Sequence, residues 1–134
     1  MSTRGALIFV AGGRELIHYN HCDSYPSGLG STVGHFIHDL VGGHLEQLAG
    51  LTEGHVEVAR QKVLSLQTYG SQEAAPMPGG GWRTYRELLN EDQGQPAKIL
   101  ARGSIVTSDR SWLADGLFCE WAYLMDFDTQ QVEV

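Results

Sequence analysis

Gly5-Ala-Leu-Ile-Phe-Val-Ala11, Gly12-Gly13 and Arg14-Glu-Leu-Ile-His-Tyr-Asn-His21 form the stretch from which the fold class is read. Two runs of β-type composition flank a Gly-Gly pair, and two adjacent glycines supply the positive φ angles of a tight hairpin turn. The first run is apolar at nearly every position, so it is predicted to be covered on both faces. The second alternates, with Ile17 and Tyr19 on one side and Leu16 and His18 on the other.

Downstream of the hairpin, Cys22-Asp-Ser-Tyr-Pro-Ser-Gly-Leu-Gly30 reads as a turn-rich loop, with Ser31 or Thr32 capping a helix. Val33, Phe36, Ile37, Leu40, Val41, Leu45 and Leu48 recur at helical spacing and predict one apolar stripe. Gly42-Gly43 within it signal close packing or an early end. Gly50 is a stop, and Leu51-Thr52 open a second helix whose seam is Val56, Ala59, Val63 and Leu66. Residues 70–81 are rich in Gly, Pro, Ala and Ser without periodicity and predict a flexible insertion. A short helix is expected over Trp82–Asn90, closed by Gly94 and Pro96, followed by strands at Ile99–Thr107, Leu117–Phe127 and Val132–Val134. The order predicts one α+β domain spanning residues 1–134. Its sheet is mainly antiparallel, built from the N-terminal hairpin and C-terminal strands, with two to three helices on one face.

Composition bounds the function. The 134 residues carry a formal net charge of −7, which argues against non-specific binding to nucleic acid or anionic membrane. No apolar run approaches the ~20 residues of a bilayer span. The N-terminal run, broken by Gly12-Gly13, reads as a strand rather than a signal peptide. The two cysteines, Cys22 and Cys119, fit free thiols in a reducing cytoplasm.

Reactive groups concentrate between His18 and Ser31. His21 and Asp23, two apart in extended chain, point to one side and suit a general base with its orienter, or two metal ligands. Gly28, Gly30 and Ser31 stand at the expected helix start, where amide N–H groups favour an anion, and Arg4 on the neighbouring strand adds positive charge. The same residues are also ordinary turn formers, so a structural loop explains them equally. On the first helix, His35 and His38 with Asp39 are weak metal candidates on a polar face, and His44 falls on the apolar stripe. Trp121 alternates with apolar residues and is expected in the core. No cofactor is predicted, and the sequence leaves oligomeric state open.

Met1-Ser-Thr3-Arg4-Gly-Ala-Leu7 and Tyr19-x-His21-x-Asp23-Ser24-Tyr25-Pro26-x-Gly28-x-Gly30 together resemble a family of small uncharacterised proteins of bacteriophages and bacteria. Those carry a similar Thr-Arg strand and a His-x-Asp-Gly-Tyr-Pro-x-Gly-x-Gly loop, and Glu120-Trp-Ala-Tyr-Leu124 to Phe127-Asp128 is similar to their closing segment. Ser24 stands where the group has Gly. The resemblance implies a phage or prophage setting and points to Thr3, Arg4, His21, Asp23 and Tyr25 without supplying a reaction.

Three functions follow as expectations. The first is a phage-type accessory protein, cytoplasmic in a bacterial host cell, which binds a host protein or small anionic ligand through the 21–31 loop and adjoining helix start. The second is a small hydrolase using His21 and Asp23, with or without metal. The third is a structural or interaction module without a pocket.

Overall fold

Gly12 and Gly13 both take positive φ, 59° and 74°, and close a hairpin between β1 (Gly5–Ala11) and β2 (Arg14–Asn20). The register pairs Ala11 with Arg14 and runs back to Gly5 opposite Asn20. This is a computed structural model that describes residues 4–20, 24–42, 55–69, 74–76, 82–84, 87, 95–107 and 120–134. Within them, Pro26–Gly30 form one π-helical turn that runs directly into α1 (Ser31–Gly42). Then come α2 (His55–Ser65), β3 (Gln67–Tyr69), β4 (Ala74–Pro76) and β5 (Trp82–Thr84). The chain closes with α3 (Pro96–Arg102), β6 (Ser104–Val106), β7 (Trp121–Asp126) and β8 (Gln131–Glu133).

The main sheet is four-stranded in the order β2-β1-β7-β8. Its outer pairs are antiparallel, and the central pair β1–β7 is parallel, with Gly5 opposite Trp121 and Val10 opposite Asp126. Two separate two-stranded sheets are also present: β3 with β6, parallel, and β4 with β5, antiparallel. The fold is therefore α+β with a mixed, mostly antiparallel sheet. Period-2 alternation divides the sheet residues between two faces. Leu7, Phe9, Leu16, Tyr123 and Met125 meet Val33, Phe36 and Leu40 of α1, Ala59 and Val63 of α2, and Ile99 and Leu100 of α3. Among the described residues α1, α2 and α3 thus pack on one face. Ala6, Ile8 and Ile17 are buried on the other. Each large apolar side chain so buried contributes about 1.5–3 kcal/mol of transfer free energy. His18 lies within this core beside Leu7's pairing position, its Nδ1 3.0 Å from the carbonyl of Val106. Since a carbonyl only accepts, that nitrogen carries the proton, and the bond ties β2 to β6.

Several expectations need correction. Ile99–Thr107 is not one strand: Pro96 at the first helical turn and Gly103, at φ 82°, delimit α3, and only Ser104–Val106 is extended. Pro is preorganised for the first turn, and Ala-Lys-Ile-Leu-Ala-Arg are good helix formers, so Pro96 opens a helix rather than closing one. Residues 82–84, expected to start a helix, form β5; of the remainder only Glu87 is described, and it is helical. Ala74–Pro76, within the expected irregular insertion, pairs with β5, and the rest of 70–81 lies outside the described residues. The anticipated Leu51–Val56 staple, His44, Cys22, Cys119 and Leu117 also lie outside them, whereas the seam of α2 is borne out, with Ala59, Val63 and Leu66 buried.

Candidate functional site

The row Asn20–Gly5–Trp121 crosses the β2, β1 and β7 end of the sheet on one face. Gly5 leaves a gap in that row, and Ser24 fills it. A Cβ placed on Gly5 would lie 2.6 Å from both Ser24 Cβ and the Trp121 carbonyl oxygen. The seated Ser24 is fully buried; its Oγ accepts from Asn20 Nδ2 at 2.9 Å, and its carbonyl accepts from the Tyr123 hydroxyl at 2.7 Å. Burial holds the Tyr123 phenol above its ordinary pKa. Gly30 lies over the same ring, since a Cβ there would come within 3.1 Å of Tyr123 Cε1. Leu29 is buried in the main core.

The helix therefore begins upstream of where sequence placed it. Tyr25 is the extended residue before the first turn, Pro26 opens that turn, and Ser31 is already helical at φ −64° and ψ −40°. Ser31 and Thr32 are not N-caps, and Thr32 Oγ1 instead donates to the Gly28 carbonyl at 3.3 Å. The N–H groups of Gly28 and Gly30 donate to the Tyr25 carbonyl, at 2.9 and 3.4 Å, and that of Ser31 to the Gly28 carbonyl. The amides that anion capture needs have internal acceptors. Ser24, which stands where the resembling group has Gly, turns its hydroxyl inward to Asn20.

What this end presents outward is aromatic. Tyr25 is 40% exposed and Trp121 37%, against the expectation that Trp121 lies in the core. Trp121 starts β7 and shares the face of Tyr123 and Met125, but it stands at the outer end of the last paired row, next to Gly5, and is left at the rim. Arg4 lies immediately before β1, its carbonyl accepting from the Glu120 N–H at 3.0 Å. Tyr25, Trp121 and Arg4 thus come to one end of the sheet. Of the other residues singled out from sequence, Thr3, His21 and Asp23 lie outside the described residues.

His35 and Asp39 share a cleft of about 250 Å³ between α1 and the start of α3, walled also by Thr32, Phe36, Gln95 and Pro96. His38 stands on the open surface with Nδ1 3.5 Å from Asp39 Oδ1. Among the described residues no three His, Cys, Asp or Glu side chains group to hold a metal ion. No described helix is long and apolar enough to cross a membrane.

No family model, curated protein or solved structure matches this chain.

Proposed function

We propose that the protein is a binding protein that engages a partner protein through the rim carrying Tyr25, Trp121 and Arg4. In the phage setting implied by the resemblance, that partner is a protein of the bacterial host cytoplasm. The observation supporting this is the combination of a rigid base and an exposed tip. Ser24 and Leu29 are buried and Gly30 packs on the Tyr123 ring, while Tyr25, between Ser24 and Leu29 in the chain, is exposed, as is Trp121 at the same end of the sheet. Tyr, Trp and Arg dominate binding hot spots, and an anchor held by its neighbours loses little entropy on docking. A small-anion reading is weaker, because the Gly28, Gly30 and Ser31 amides are already hydrogen-bonded.

A photo-crosslinking amino acid at position 25, compared with one at exposed Lys98, tests the proposal in bacterial host lysate. The expected result is one light-dependent adduct of defined mass from position 25 alone, lost when Trp121→Ser is added. No adduct from position 25, or the same adduct from both positions, would overturn the assignment.

A further inference from the structure

The opposite end of β7 carries a different surface. β8 is the last strand of the sheet, and no described strand pairs with its outer edge. All its residues are exposed, Val132 at 45%, and Val134 beyond it at 78%. Apart from its three-residue length and Glu133, β8 carries none of the residues that usually protect a sheet edge, since Gln131-Val-Glu-Val134 contains neither lysine nor proline. Beside the strand lies an apolar hollow of about 110 Å³ between Ile37 and Leu40 of α1, Val56 of α2, and Met125, Phe127 and Val132.

From this we infer that β8 accepts an extended, alternately basic and apolar segment of a partner protein as a fifth strand. The register dictates that pattern. Val132 pairs with Met125, which faces the helices, so Val132 faces them too, and a residue opposite it in an added strand stands at the mouth of the hollow. That residue is apolar. Its neighbours fall on the other face, opposite Gln131 and Glu133, with Asp126 one strand further in. There a cation is favoured and an anion repelled. A second copy of the chain fits less well, because each protomer brings a net charge of −7. Main-chain pairing supplies affinity and the alternating side chains supply selection, as in strand addition generally.

The test uses the full chain at low salt and a fluorescein-labelled peptide, acetyl-Lys-Val-Lys-Ile-Lys-Val-Lys-amide, read by anisotropy. Two further versions carry N-methyl groups on alternate amides, one for each edge of the peptide. Saturable binding is expected, weakened at least about tenfold by methylation of one edge and not the other, since only one edge pairs. Replacing every Lys of the peptide with Glu, or Val132→Lys in the protein, should weaken it comparably. No binding, or equal binding of both methylated peptides, would overturn the inference. So would a dimer in sedimentation that Val132→Lys dissolves, because the edge would then belong to a second copy.

Discussion

The two ends of the central strand pair are fastened by opposite means. At the Gly5–Trp121 end the locks are buried and uncharged: Ser24 seated on Gly5, Asn20 on Ser24, and the Tyr123 hydroxyl on the Ser24 carbonyl. At the Val10–Asp126 end the lock is ionic and open to water. Asp128 accepts from the N–H groups of Gly12 and Gly13 at 2.9 and 3.2 Å and from Arg60 Nε at 2.8 Å, which pins the hairpin tip to β7 and α2 together. Those contacts, the Gly12 amide foremost and then Arg60 and Gly13, hold the Asp128 carboxyl below its ordinary pKa. Arg60 is correspondingly raised, first by its hydrogen bond to Asp128. The first end should respond to single atoms and ignore salt. The second should respond to salt and pH and tolerate small changes of shape.

Gly5→Ala should break this contrast most sharply. The added methyl meets a backbone oxygen that cannot yield, and overpacking of this kind costs about 1–3 kcal/mol or more by urea denaturation. Adding Ser24→Gly should recover only part of the loss, because the Trp121 carbonyl remains. Full recovery would mean that Ser24 alone makes the contact. Tyr123→Phe removes a buried hydrogen bond and should cost about 1–2 kcal/mol, unchanged in high salt. The same phenol sets an alkaline limit: its folded-state pKa lies above the unfolded value of 10.0, so stability is fully present below pH 10.0 and is lost as pH rises through the folded value. Tyr123→Phe should flatten that decline in pH-dependent melting. Ser24→Ala, which deletes the acceptor of Asn20 Nδ2, should cost about 1 kcal/mol. The smallest effect belongs to Asp128→Asn. Its folded-state pKa lies below the unfolded value of 3.8, so the carboxylate stabilises above pH 3.8, and that contribution is lost as pH falls through the folded value. The gap between wild type and Asp128→Asn should therefore close in acid, and also in concentrated salt at neutral pH. A gap insensitive to both would place the two ends in the same class.

How much of this was legible in the sequence depends on the range of the determining contact. Gly12-Gly13, the double-faced apolar run of β1 and the α2 seam are local patterns, and they were read correctly. The start of the helix was misplaced because Ser31 is a good cap in isolation, whereas Leu29 and Gly30 are drawn into helical geometry by burial against the core and Tyr123. Pro26 at the first turn was the available signal. Trp121 follows the same alternation as Tyr123, and nothing local says that the covered part of the strand begins after it. The parallel direction of β7 on β1 likewise leaves no mark in either strand, since both pairings use the same alternating residues. Of the candidate site, Tyr25 and Arg4 were singled out from sequence; that Ser24 turns inward and Trp121 joins the rim needed the register.

The parallel pairing also has a consequence in time. Gly12 and Asp128, joined across the central strands, stand 116 residues apart. During synthesis the hairpin is complete once Asn20 has been made, yet β1 has no second neighbour until β7 follows, and its most apolar strand waits with one edge open. Closing so long a loop adds little to the equilibrium cost but slows the search. A chain interrupted before residue 121 therefore exposes Ala6 to Val10 as an unfilled template, and its premature products should be strong substrates for strand-capturing chaperones and for proteolysis.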